Sequence, residues 1–131
     1  MGQRSPPHRR VALIVEDEVS VALGLKDALR ALGFEICDVA TNGEQAFWFA
    51  IGDRPDVVVM EVYLERGREG IEVARRLRDL CDAPIVFVTG YSDQATIERI
   101  HERVPGAPVV PKPVHRDRLA DAVTEVVQLH Y

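Results

Sequence analysis

Short runs rich in Val, Ile and Leu, which no polar residue interrupts, occur at residues 11–15, 57–60 and 85–88. Parallel strands that are buried on both faces have this character, whereas strands with one solvated face alternate apolar and polar residues. Segments with the apolar spacing of helices separate the runs. Five β/α units of this length predict an α/β fold, a doubly wound parallel sheet with helices on both faces.

Turn and cap residues predict where these elements begin and end. Gly33 is expected to end the first helix, and Ser92 to cap the fourth. Prolines on both sides of 109–110 indicate a short or edge strand there. The predicted strands are 11–15, 34–39, 56–60, 85–88 and 109–110, and the predicted helices are 19–32, 44–51, 71–80, 93–103 and 115–130.

Length and composition indicate one domain, with 131 residues of which 47% are hydrophobic and 28% charged. We expect residues 1–9 to be a disordered lead-in and 10–131 to be the domain. The net charge of −5 argues against direct nucleic-acid binding. No apolar stretch reaches the roughly 18 residues of a membrane span, and no signal-peptide region precedes the first strand. Cys37 and Cys81 lack paired spacing, which favours a reducing, cytoplasmic location.

Polar residues follow or end four of the five predicted strands: Glu16 and Asp17, Glu61, Thr89 and Lys112. Ligands of open parallel sheets bind beyond the carboxyl ends of the strands. Neighbouring strands lie only about 4.8 Å apart. If the first and third strands pair, three carboxylates therefore converge at one edge, where their repulsion favours a bound cation.

The chemistry of these side chains suits a phosphoryl group. Carboxylates without nearby His or Cys favour Mg²⁺. The Lys112 ammonium can neutralise a phosphoryl oxygen, and the Thr89 hydroxyl can donate a hydrogen bond to another. The set predicts a phosphoryl group on an acyl oxygen, stabilised by positioning and charge neutralisation. The alternatives are an acid pair at a helix N-terminus for Glu16 and Asp17, and an ordinary solvated lysine for Lys112.

Five segments occur in a fixed order, at 15–18, 56–61, 70–72, 88–90 and 112–113. With them the chain resembles the receiver domain of bacterial two-component response regulators, from about residue 10 to 130. The resemblance implies a flavodoxin-like fold with strand order 2-1-3-4-5. It also implies transfer of a phosphoryl group from a sensor histidine kinase to the residue that ends the third strand.

The same resemblance implies roles for individual residues. Mg²⁺ would be held by Glu16, Asp17, residue 61 and the backbone carbonyl of Tyr63. Thr89 would be the switch hydroxyl, Lys112 would bind the phosphate, and Lys112–Pro113 would be a cis peptide. The protein would be a signalling module and not an enzyme, with a downstream protein target. Receivers pair through the fourth helix, fifth strand and fifth helix, and the charges on that face here would permit a homodimer: Arg99, His101, Arg103 and Asp117.

A narrower likeness lies in 84–91, Pro-Ile-Val-Phe-Val-Thr-Gly-Tyr. It resembles the Pro-Phe-x-Phe-Ala-Thr-Gly-Tyr signature of the FAT GUY receivers, which are often stand-alone and partner histidine kinases of the HWE type. Because nothing follows the last helix, we expect a stand-alone protein whose output is by protein contact. Val109 stands where most receivers have a switch aromatic, a departure that this group shares.

Glu61 is the main departure, because receivers carry aspartate at the phosphoacceptor position. It is one methylene longer and carries one charge where a phosphoryl group adds about 1.5–2. We expect a single-domain response regulator in which Glu61 is phosphomimetic or non-phosphorylatable. The alternatives are a phosphorylation-independent pseudo-receiver that acts as an interaction module, a slow acceptor, and an ordinary surface glutamate. A small enzyme acting on phosphorylated metabolites is disfavoured, because we find no Gly-rich phosphate loop and no nucleophile.

Overall fold

The computed structural model describes residues 9–64 and 69–130. Five strands and five helices alternate within these ranges. The strands are β1 Val11–Val15, β2 Ile36–Ala40, β3 Val57–Met60, β4 Ile85–Thr89 and β5 Val109–Pro111. The helices are α1 Val19–Ala31, α2 Gly43–Gly52, α3 Glu69–Cys81, α4 Gln94–Arg103 and α5 Arg116–His130.

All strands are parallel and lie in the order β2-β1-β3-β4-β5, which confirms the predicted fold. Every residue of β1, β3 and β4 is buried, as the uninterrupted apolar runs predict. Side chains alternate between two cores: Leu13 packs in the core under α2, α3 and α4, and Ile14 in the core under α1 and α5. The sheet is therefore covered on both faces.

The second strand begins two residues later than predicted. Gly33 has φ +100°, in the left-handed region that glycine tolerates, so it ends α1 as expected. The Phe34 N–H then donates to the Leu29 carbonyl at 3.2 Å. Phe34 thus belongs to the turn, and its buried side chain fills the core from there.

The predicted cap of α4 is wrong by one residue. The Asp93 side chain, and not Ser92, accepts the N–H of Thr96, at 3.3 Å. Serine and aspartate are both good caps, so residue type alone does not decide between Ser92 and Asp93. The structure confirms the edge position of β5, the cis Lys112–Pro113 peptide, and two free, buried cysteines.

Two predictions fall partly outside the described ranges. Of the lead-in predicted at 1–9, residues 1–8 are outside them. So are residues 65–68 of the polar segment 64–70, which the sequence predicts to be a loop. The last two residues of that segment, Glu69 and Gly70, instead begin α3. Within the described ranges, no helix combines the length and the apolar character needed to cross a membrane.

Candidate functional site

The register of β1 and β3 brings two acids together at the carboxyl edge of the sheet. Val15 pairs with Met60, so Glu16 and Glu61 are the next residues of adjacent strands. The Glu61 N–H donates to the Val15 carbonyl at 2.9 Å, and this bond extends the pairing by one residue. Only 2% of Glu16 and 5% of Glu61 are exposed. The two carboxylates therefore lie in a largely water-excluded place.

Lys112 reaches both acids from the loop after β5. Its Nζ donates to Glu16 Oε1 at 2.8 Å and to Glu61 Oε1 at 2.6 Å. The side chain is only 20% exposed. The interpretations of Lys112 as an ordinary solvated lysine and of Glu61 as a surface glutamate are therefore wrong.

Burial and pairing act in opposite directions on the pKa values of this cluster. Burial raises the pKa of Glu16, against the hydrogen bond from Lys112, which lowers it. Burial by itself lowers the pKa of Lys112, but its hydrogen bonds to Glu16 and Glu61 outweigh burial and raise it. Lys112 is therefore an ammonium at neutral pH. Two carboxyl groups face this one ammonium, and carboxyl oxygens are the donors that a further hard cation would use.

The second oxygen of each carboxylate accepts a backbone N–H. Glu61 Oε2 accepts from Tyr63 at 3.2 Å, and Glu16 Oε2 accepts from Glu18 at 3.1 Å. Each carboxylate is thus held between Lys112 and the loop that follows its own strand. Such charge-assisted bonds are stronger than neutral ones, so they fix the orientation of both side chains.

Asp17 does not join this cluster. It is exposed and makes no hydrogen bond or ion pair with any other residue the structure describes. Across residues 9–64 and 69–130, no group of three or more acidic, His or Cys side chains is arranged to hold a metal. The structure therefore brings together two of the three predicted metal acids. The oxygen donors suit a hard cation, but Lys112 already occupies one oxygen of each carboxylate.

Thr89 ends β4, beside β3, and is completely buried. Its backbone carbonyl accepts the Lys112 N–H at 3.0 Å, so this pairing positions the lysine. Its Oγ1 accepts the N–H of Tyr91 at 3.1 Å. Among the described hydrogen bonds of Thr89, none joins its hydroxyl to Glu61. The Thr89 hydroxyl thus lies at the carboxyl edge of the sheet, as predicted, but it does not contact Glu61 at the phosphoacceptor position.

The sequence analysis gives Tyr63 a role only through its backbone carbonyl, and the contacts of its side chain were not predicted. The Tyr63 ring packs against the Tyr91 ring with centroids 4.4 Å apart. Its hydroxyl lies 3.0 Å from Thr96 Oγ1, in α4. Tyr91 is 59% exposed, so it covers Tyr63 and is not a core residue. One feature of the sequence indicates this pair of rings. A tyrosine occurs two residues after Glu61 and two residues after Thr89, at the ends of the neighbouring strands β3 and β4.

Gly70 sets how closely α3 approaches the site. A Cβ atom at Gly70 would lie 2.0 Å from the Glu61 carbonyl oxygen and 2.6 Å from that of Val62. The Gly70 N–H donates to the Val62 carbonyl at 3.0 Å. Only a residue without a side chain allows this approach, so Gly70 supports the backbone that carries Glu61.

Comparison with known proteins agrees with this architecture. The family model of the response regulator receiver domain matches residues 12–124. The transcriptional regulatory protein PdtaR of Mycobacterium tuberculosis is 38% identical over 94 residues, which are 72% of this chain and 45% of that protein. The chain thus spans under half the length of that relative.

Solved structures agree over nearly the whole chain. The signal receiver domain of a modulated diguanylate cyclase from Desulfovibrio desulfuricans G20 has a TM-score of 0.83 and 32% identity, covering 94% of this chain and 97% of that one. A putative response regulator from Chloroflexus aurantiacus has a TM-score of 0.80 and 26% identity, covering 92% and 99%. The strand order, the acid pair at the sheet edge and the matched residues 12–124 converge on one assignment. The chain belongs to the receiver domains of two-component response regulators.

Proposed function

We propose that this receiver works in a two-component pathway with Glu61 holding its site in a fixed, ion-paired state. The observation that carries the proposal is the 2.6 Å contact between Lys112 Nζ and Glu61 Oε1. Lys112 is the residue proposed to bind a phosphoryl oxygen, and here a carboxylate of the protein already engages it. Glu61 thus supplies one of the contacts that a phosphoryl group on a shorter aspartate would make.

The mimicry is partial. Thr89, the proposed switch hydroxyl, donates no described hydrogen bond to Glu61, and its Oγ1 accepts from Tyr91 instead. A phosphoryl group offers three acceptor oxygens and about 1.5–2 charges, so it can engage Lys112 and Thr89 together. A single carboxylate, with Lys112 on one oxygen and Tyr63 on the other, has less to offer. We therefore propose a non-phosphorylatable receiver in which Glu61 imitates the contact of a phosphoryl group with Lys112 but not the contact with Thr89.

Mg²⁺ is the proposed cofactor. Glu16, Asp17, Glu61 and the backbone carbonyl of Tyr63 would hold it, and the ion would supply neutralisation of carboxylate and phosphoryl oxygens. The oxygen donors of these residues support this proposal. Lys112 competes with the ion for Glu16 and Glu61, so we expect weaker binding than with an aspartate at position 61.

The proposed partners are a sensor histidine kinase and a downstream protein target. Likeness of 84–91 to the FAT GUY signature, together with Val109 at the usual aromatic position, supports a kinase of the HWE type. A homodimer through α4, β5 and α5 is less supported. Arg103, one of four charges that could bridge such a dimer, already pairs with Glu72 of its own chain. We propose 10–131 as the extent of the domain, and a cytoplasmic location because both cysteines are free.

A phosphorylation-independent interaction module is the second candidate. It is favoured by the engagement of Lys112 by two carboxylates of the protein itself. The two candidates differ in whether the surroundings of residue 61 can still support the transfer.

Intact mass spectrometry after incubation with Mg²⁺ and a small acyl phosphate distinguishes them. The samples are the unaltered protein, Glu61→Asp, and Glu61→Asp with Lys112→Ala as the control. Gain of one phosphoryl group by Glu61→Asp alone supports a competent site held by Glu61. No gain by any sample favours the interaction module. Gain by the unaltered protein would contradict a non-phosphorylatable site.

A further inference from the structure

Tyr63 connects the Glu61 carboxylate to α4 through its backbone N–H and its side-chain hydroxyl. Its backbone N–H donates to Glu61 Oε2 at 3.2 Å. Its hydroxyl contacts Thr96 Oγ1 at 3.0 Å, in the first turn of α4. One residue therefore contacts both the acid at the sheet edge and a helix that starts more than thirty positions later.

The direction of the hydroxyl contact follows from proton counting. A threonine hydroxyl has one proton, and that of Thr96 is donated to Asp93 Oδ1 at 2.8 Å. The Tyr63 hydroxyl is therefore the donor to Thr96. Only 3% of Thr96 is exposed, so water does not readily replace Tyr63, and loss of the bond leaves a buried acceptor without it.

Packing against Tyr91 limits the movement of the Tyr63 ring. Tyr91 packs on its ring with centroids 4.4 Å apart and planes inclined by 58°. Tyr91 is itself held by its N–H bond to Thr89 Oγ1. The Tyr63 side chain is thus in contact at its ring with Tyr91 and at its hydroxyl with Thr96.

Both the apolar packing of Ile100 in the core and several polar contacts hold the α4 helix. Thr96 and Ile100 are its buried residues. At its far end, Arg103 Nη2 bonds both oxygens of Glu72 in α3, at 2.5 and 2.8 Å. That ion pair is exposed, and exposed pairs contribute little. At the opposite end, the part-buried contact from Tyr63 and the Asp93 cap together restrain the first turn of α4.

We propose that Tyr63 transmits the state of residue 61 to the first turn of α4. A carboxylate as long as that of glutamate reaches the Tyr63 N–H and holds the tyrosine with its hydroxyl on Thr96. A shorter or differently bonded group at position 61 releases the N–H and loosens the first turn of α4. This link does not depend on whether Glu61 accepts a phosphoryl group.

Hydrogen–deuterium exchange of the α4 amides tests the link in a four-member cycle. The proteins are the parent, Glu61→Asp, Tyr63→Phe and the double variant, without phosphodonor. Glu61→Asp should speed exchange of the amides at 97–100 by about 2- to 10-fold, the effect of one lost hydrogen bond. In the Tyr63→Phe background the same change should have no further effect. The amides of α1 should not respond in any member.

Tyr91→Phe is the matched control, because it removes a neighbouring hydroxyl and keeps the ring contact. In that background the response of α4 to Glu61→Asp should persist. Should Tyr63→Phe fail to fold, Thr96→Val removes the acceptor from the other side and is used in its place. An α4 response of equal size with and without the Tyr63 hydroxyl would overturn the proposal, as would no response in the parent.

Discussion

Lys112 Nζ lies 2.6 Å from Glu61 Oε1, and this contact joins the loop after the edge strand β5 to the end of the central strand β3. The lysine passes over the end of β4 to reach it, positioned by its own N–H bond to the Thr89 carbonyl. The same ammonium also donates to Glu16. One lysine side chain therefore connects the ends of β1 and β3 with the loop after β5.

Removal of the Lys112 charge should destabilise the fold. Lys112→Met leaves two buried carboxylates without their counter-charge, and we expect a loss of about 3 kcal/mol in the free energy of unfolding. Urea denaturation measures it. Adding Glu61→Gln removes one of the stranded charges and should recover at least half of the loss. A change below about 0.5 kcal/mol for Lys112→Met, the size of an ordinary surface substitution, would contradict the ion-paired site.

Gly70 should not tolerate a side chain. Gly70→Ala places a Cβ atom 2.0 Å from the Glu61 carbonyl oxygen, and overpacking against backbone should cost about 3 kcal/mol. The matched control is Gly24→Ala in α1, where a Cβ meets nothing within 4 Å. That change should stabilise the protein by about 1 kcal/mol through helix propensity. Thermal unfolding of the two variants should therefore shift in opposite directions.

Substitutions at Asp93 and Ser92 test which of the two residues caps α4. Asp93→Ala removes the acceptor of the Thr96 N–H and should lower stability by about 1 kcal/mol. Ser92→Ala should change it by less than about 0.5 kcal/mol. Chemical denaturation of both variants distinguishes them, and equal effects would show that the assigned cap is incorrect.

The Glu72–Arg103 pair should make stability depend on acid pH. Hydrogen bonding to Arg103 lowers the pKa of Glu72 below its ordinary value of 4.5. Its stabilising contribution is therefore complete above 4.5 and is lost as the pH falls through the lower folded-state pKa. Relative to Glu72→Gln, the parent should lose stability in that acid window and not above it. Unfolding midpoints across the window measure this, and added salt should shrink the difference because the pair is exposed.

Much of the fold could be predicted from local patterns. Unbroken apolar runs are characteristic of strands buried on both sides, and this holds for β1, β3 and β4. Boundaries were less accurate where two adjacent residues had similar chemistry, as at Ser92 and Asp93. The sequence places Phe34 at the start of the second strand, but its backbone N–H completes the end of α1.

The candidate site was predictable as a set of residues at strand ends, but not as a set of contacts. Glu16 and Asp17 are adjacent in sequence and chemically alike, yet the first is buried on Lys112 and the second is exposed. Neighbouring side chains of extended backbone point in different directions. Residue type alone does not show which of the two acids faces the partner strand.

The sequence by itself determined the order of the elements, their burial and the acids, hydroxyl and amine at the edge of the sheet. These follow from periodicity and chain connectivity, which are local properties. Only the tertiary structure decided that Lys112 bridges Glu16 and Glu61, that Gly70 admits α3 against the backbone of Glu61, and that Tyr63 reaches Thr96. Those contacts join residues far apart in the chain, and their geometry exists only after β1, β3, β4 and β5 have paired in register.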